Sequence, residues 1–147
     1  MSPAADPKRS CGYAALVGIG VMAAVDEIIF HQLLQWHHFF DHATPAIGIV
    51  SDGLFHAFEL MALMAGFVLS VDLARRQQWD RRLAWAGVFI GAGGFQFFDG
   101  IIIHKILRLH QIRYDVDLLV YDATWILSGL VLLLIGMALY RRHAHRA

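Results

Sequence analysis

The sequence predicts an all-α integral membrane protein, a four-helix bundle in one domain covering residues 1–147. Three observations carry that reading. Hydrophobic residues make up 58% of the chain and the mean hydropathy is +0.53, well above what soluble domains carry. The apolar residues gather into four blocks, each near the roughly 20 residues that a helix needs to cross a bilayer core of about 30 Å. The segments between them are too short to form a separate soluble domain.

The first block, 12–36, follows Lys8 and Arg9 and has the outline of a secretory signal. No small-x-small cleavage site precedes Asp26, and the third block repeats its pattern deep in the chain, so it is read as a retained helix. A Pro45 turn leads into the second block, 46–70. The third, 83–104, begins after an Arg, Gln, Trp and Asp cluster and holds a Gly87-x-x-x-Gly91 spacing that permits close helix contact. The fourth, 118–140, runs into a basic tail where His143 and His145 are read as solvated. Trp36, Trp79, Trp85 and Tyr140 fit interfacial anchors. The single cysteine, Cys11, excludes an internal disulfide and lacks the apolar flank of a lipoprotein site.

Lys8, Arg9, Arg75, Arg76, Arg81, Arg82, Arg141, Arg142 and Arg146 fall on one side of the four-span arrangement, against Lys105, Arg108 and Arg113 on the other. The positive-inside rule then puts both termini in the cytoplasm and the opposite face outside it. The formal net charge is zero and no basic run suggests nucleic acid. Phosphate loops, dinucleotide fingerprints and nucleophile elbows are missing as well. The expected partners are the lipid bilayer and a membrane or periplasmic protein.

Two stretches, VDEIIFHQLLQWHH and FDGIIIHKILRLHQ, align without a gap. Asp26 matches Asp99, His31 matches His104, and His37 matches His110. With Asp52 near the start of the second helix and Asp122 near the start of the fourth, each half reads as one helical hairpin. The two would be related by an axis along the membrane normal. The halves differ: Gly100 replaces Glu27, Ile126 replaces His56 and Gly129 replaces Glu59 in this alignment.

Ionisable groups inside a span are costly, so they face the protein interior and mark function. Seven of nine histidines and nine of twelve acids fall in or beyond the outer half of the bundle. A helical period of 3.6 puts Glu27, His31 and His38 on one stripe and Asp26 with His37 on another. It sets Asp52, His56 and Glu59 along the second helix, and Asp99 with His110 on the third. Imidazole and carboxylate donors on facing helices are how bundle metal sites are built, and they suit zinc, iron, manganese or copper(II). The expected ligands are Glu27, His31, Asp52, His56, Glu59 and His104, with His31 and His56 meeting at similar depth. Asp26, Gln96, Asp99, His37, His110 and Asp122 are expected to orient ligands or handle protons. His37, His38 and His42 also fit a wet interface.

HQLLQWHH, SDGLFHA and GGFQFFDGIIIHKILRLHQIR resemble a small bacterial family of four-span membrane proteins, over nearly the whole chain. The resemblance implies a multi-pass protein of the bacterial inner membrane and no reaction. Three function classes stay open. One is a metal-dependent oxidoreductase or hydrolase. Another is a haem protein with His31 and His56 or His104 as axial ligands, which leaves Glu27 and Glu59 without a role. The last is a non-enzymatic metal-handling or assembly protein.

Overall fold

The computed structural model describes residues 4–144; His145 lies outside them. The described residues form helices and connecting loops, and four of the helices are long and apolar enough to cross a membrane. Helix α1 (Pro7–Val25) continues without a break into a π-helical segment, π1 (Asp26–Leu33). Helix α2 covers Pro45–Arg75. Helix α3 (Arg81–Phe98) again runs on into a π-helical segment, π2 (Asp99–Leu107), and α4 covers Leu118–Ala144.

Local chemistry fixes the ends. The Asp6 carboxylate accepts from the Arg9 backbone N–H, and Pro7 opens α1. Asp80 does the same for Arg82 and Leu83 at the start of α3. Each satisfies donors that the first turn of a helix leaves free. Pro45 begins α2, where its missing N–H costs nothing.

Helices α1 and α3 form the centre, with α2 against α1 and α4 against α3. Glycine decides the central approach. A Cβ on Gly91 would strike the Ala15 carbonyl, one on Gly87 the Cys11 carbonyl, and one on Gly18 the Val88 carbonyl. The Gly87-x-x-x-Gly91 spacing is therefore a real contact face. Helix α2 buries only a narrow stripe, Gly48, Asp52, Phe55, Glu59, Gly66 and Leu73. The rest of α2 and most of α4 expose large apolar side chains such as Leu54, Met61, Phe67, Leu119 and Val131, as helices facing lipid do.

The repeated spacing extends into the backbone. One constant offset, that from Asp26 to Asp99, relates the starts of π1 and π2, the starts of α2 and α4 at Pro45 and Leu118, and the glycine pair Gly18 and Gly91. In this register the residue matching Asp52 is Trp125 rather than Asp122, and Gly129 matches His56. A slip of three residues in the α2 and α4 alignment separates this from the register read in the sequence, where the apolar helices offered no marker.

Candidate metal centre

The repeated Asp-x-x-x-x-His spacing makes sense once the winding changes. In an α-helix, residues five apart point in different directions, whereas a π-helix closes i to i+5 hydrogen bonds and stacks them. In π2, His104 Nε2 lies 3.0 Å from Asp99 Oδ2. In π1, His31 Nε2 lies 3.8 Å from Asp26 Oδ2. The same winding lets Gln32 Nε2 donate to Glu27 Oε1 at 2.7 Å, again five residues apart. Asp26, Glu27, His31, Asp99 and His104 are all no more than 3% exposed.

Each π segment is followed by a residue in the left-handed region, Gln35 (φ 51°) and Arg108 (φ 52°), which turns the chain back over the bundle. Trp36 N–H then bonds the Phe30 carbonyl and Leu109 N–H bonds the Ile103 carbonyl, at equivalent positions of the two halves. The turn carries His37 and His110 inward. Their rings stack with centroids 4.3 Å apart and an interplanar angle of 6°.

The hydrogen bonds of this pair are exchanged between halves. His37 Nδ1 donates to the Ile112 carbonyl (2.8 Å) and His110 Nδ1 donates to the Phe39 carbonyl (2.9 Å). Phe39 and Ile112 are themselves equivalent positions. A carbonyl can only accept, so both imidazoles carry their proton on Nδ1, and Nε2 keeps its lone pair. Burial pushes His37 far below its ordinary range, and His110, His31 and His104 beside it act in the same direction. Burial also lowers His110, to about 4; Asp99 opposes the shift and His104 adds to it. Both rings are neutral at physiological pH.

Asp52 joins the first hairpin to its loop. Oδ1 accepts from His31 Nδ1 (3.0 Å) and from Phe39 N–H (2.7 Å), and Oδ2 accepts from His38 Nδ1 (2.6 Å). Glu27 Oε2 is also 3.0 Å from His31 Nδ1, but the N–H points to Asp52, and Oε2 has no hydrogen-bond partner. In the second half these groups are replaced. Gly100 stands for Glu27, and a Cβ there would collide with Ile126 and Trp125. Trp125, standing for Asp52, donates its indole N–H to Asp99 Oδ2 at 3.0 Å. His104 Nδ1 is consequently left without an acceptor.

Seven buried atoms of this cluster have no hydrogen-bond partner: Asp26 Oδ2, Glu27 Oε2, Nε2 of His31, His37 and His110, and both nitrogens of His104. Among the described residues, three sets bring one donor atom per residue within 4.8 Å of one another: His31, His37 and His110; Asp99, His104 and His110; Glu27, His31 and Asp52.

The sequence-derived residues divide accordingly. Glu27, His31, Asp52 and His104 come together, joined by Asp26, Asp99, His37 and His110. His56 does not meet His31. Its side chain is 49% exposed and bonds Glu59 Oε1 at 2.6 Å, because Phe55 rather than His56 takes the buried position between Asp52 and Glu59. Glu59 is buried beside the cluster but outside the three donor sets. Gln96 is turned to α4, where it donates to the Trp125 carbonyl and Ser128 Oγ. Asp122 pairs with Lys105 at 2.5 Å. His38 is not on a helical stripe with Glu27; it sits in the loop and bonds Asp52. Trp36 lies under the Arg113 guanidinium and beside Tyr121, within the loop layer. The Phe39 and Ile112 carbonyls and Trp125 were not foreseen. The i, i+5 spacing, written twice, was the available signal for the π winding.

Residues 13–143 match the model of a family described as predicted membrane protein (DUF2243), and the chain belongs to that family. No curated protein and no solved structure matches the chain.

Proposed function

We propose that this four-span family member binds a transition-metal ion at the histidine-rich end of its bundle. His31, His37 and His110 would be the principal ligands, with His104, Asp99 and Glu27 as neighbouring donors. One observation carries the reading: three imidazoles donate Nδ1–H to protein acceptors, their Nε2 atoms are buried without a hydrogen-bond partner, and one nitrogen of each ring lies within 4.8 Å of one nitrogen of the other two. A hydrogen bond from the second ring nitrogen fixes the tautomer and orientation of a ligating histidine.

The energetics agree. A buried polar atom without a partner costs about 1–3 kcal/mol. His37 Nε2 and His110 Nε2 lack both a hydrogen-bond partner and a carboxylate contact, so a ligand at these two atoms would offset that cost. Imidazole and carboxylate donors suit zinc, iron, manganese or copper(II). The ring centroids of His31 and His37 are 4.4 Å apart and those of His104 and His110 are 4.7 Å apart. This crowding favours an ion over a macrocycle that must fit between its axial ligands.

A metal-assisted oxidoreductase or hydrolase fits better than a delivery protein. The donors are at most 5% exposed and lie beneath the two loops, so a bound ion is not presented to a docking partner. The carboxylates of Asp26 and Asp99 lie close enough to take up or release protons beside it. The nine-to-three Lys/Arg division supports a bacterial inner-membrane location with this end on the periplasmic face.

The test is metal analysis of detergent-purified protein after growth with supplemented metals. The protein should carry tightly held transition metal; His37→Ala and His110→Ala should each lose most of it, and His56→Ala should keep it. Folded protein that stays metal-free would replace this reading with a buried, water-filled polar network.

A further inference from the structure

Helices α2 and α3 do not close on each other. Between them, over α1, runs a cleft of roughly 600 Å³, within the range of about 300–1,000 Å³ that small-molecule sites occupy. Its walls are apolar, and Leu54, Phe58 and Phe98 at its rim are 45–70% exposed. The rim lies within the lengths of α2 and α3 that are apolar enough to cross a bilayer, so the cleft opens to hydrocarbon. Within it the rings of Phe39, Phe55 and Phe95 are nearly parallel: Phe55 lies 5.0 Å and 20° from Phe39, and 6.0 Å and 15° from Phe95. Such faces fit a flat ring.

The cleft is not purely apolar. Asp99, 3% exposed, lines it and also belongs to the donor set with His104 and His110. Trp125 holds its Oδ2, while among the described residues no hydrogen bond ends on Oδ1. A carboxylate residue in the lining of a greasy slot selects a ligand with a hydroxyl donor on a planar head and an apolar tail. The equivalent position on the other side of the pseudo-twofold axis is different. There Phe30, the counterpart of Ile103, packs against Trp36 and Trp125.

We infer that the cleft between α2 and α3 is the binding site of a lipid-soluble quinol, whose ring packs along the phenylalanine-lined wall and whose hydroxyl donates to Asp99 beside the metal centre. This names a ligand class for the site proposed above and rests on that reading for its consequence, though not for the binding itself. Quinol enters from the bilayer rather than from water, and the carboxylate that receives its hydroxyl is also a neighbour of the histidines.

The experiment is equilibrium binding of decylhydroquinone to the full-length protein in lipid nanodiscs, with the dimethyl ether of the same probe as comparison. Gly94 lines the cleft, and a Cβ there meets nothing within 4 Å, so Gly94→Phe fills the slot without pressing on another helix. Saturable binding is expected, weakened about tenfold or more by Gly94→Phe and by methylation of the probe, with metal content unchanged in the variant. Equal binding of quinol and ether would make the cleft a lipid slot and overturn the proposal. So would unaltered affinity in folded Gly94→Phe. Should that variant fail to fold, the ether comparison on the unmodified protein decides alone. Quinol binding with both sensitivities in protein that takes up no metal would remove the metal centre and leave the cleft assignment standing. Metal uptake without selective quinol binding would do the opposite.

Discussion

Replacing Asp52 is the sharpest probe of how the centre is held. Its two oxygens accept three hydrogen bonds, from His31, His38 and the Phe39 backbone, and it is 2% exposed. In Asp52→Asn the remaining carbonyl oxygen can keep His31 and Phe39, while the amide faces His38, which is only partly buried and can turn to solvent. One charge-assisted bond is lost, worth about 1.5–3 kcal/mol, and the bond to His31 loses its charge. Asp52→Ala abandons all three donors, and each unsatisfied buried group costs about 1–3 kcal/mol, so it should destabilise more than the Asn variant. For the metal, loss of an outer partner of a ligating histidine typically weakens affinity about 10 to 100-fold. Asp52→Asn should sit at the lower end of that range and Asp52→Ala at the upper end. Competition against a chromophoric chelator in micelles, read beside the thermal midpoint, measures both quantities. Affinity in Asp52→Asn within about twofold of the unmodified protein, where a tenfold change corresponds to 1.4 kcal/mol, would refute the claim that this carboxylate orients His31.

Other expectations follow from separate features. A periplasm-dependent reporter should be active when inserted near Thr44 and silent when fused after Ala147, and the reverse would invert the orientation drawn from the Lys/Arg count. Gly91→Ala should cost about 1–3 kcal/mol of stability, because its Cβ meets the Ala15 backbone; Gly53→Ala, with nothing within 4 Å, should not. For His110, a folded value of about 4 against 6.5 unfolded means that the unfolded chain takes up the proton first. Stability is therefore complete above pH 6.5 and is lost as pH falls towards 4, by on the order of 3 kcal/mol. Thermal unfolding of metal-free protein, compared with His110→Asn, should reveal that slope, and equal slopes in the two proteins would refute it.

The four spans were legible because apolar length depends on composition alone. The repeated Asp and His positions were legible too, since Asp26, His31 and His37 recur at Asp99, His104 and His110. Their partnerships were not. A period of 3.6 assigned Asp26 and His31 to different stripes, and only the π winding unites residues five apart. Nothing in the local residue types of Gln35 or Arg108 announces a left-handed turn, so the sequence pattern alone extends His37 and His110 along their helices instead of folding them back. The exposure of His56 was illegible for another reason: α2 packs chiefly on one neighbour, α1, and a helix with one neighbour buries a narrow stripe, which leaves no room for a residue adjacent to Phe55.

The exchanged bonds of the two loops follow a symmetry of their own. His37 reaches a carbonyl of the second hairpin and His110 the equivalent carbonyl of the first, which is the self-complementary pattern of a twofold dimer interface. A single hairpin carrying one Asp, two histidines and one loop would hold the same contacts by pairing with a copy of itself. Joining two copies in one chain removes the requirement that both halves stay alike. One half keeps the carboxylates Glu27 and Asp52 around its histidine, while the other exchanges them for Gly100 and Trp125. What a homodimer must build twice or not at all, the fused chain builds once, with one imidazole braced by Asp52 and Glu27 and its twin facing Asp99 alone.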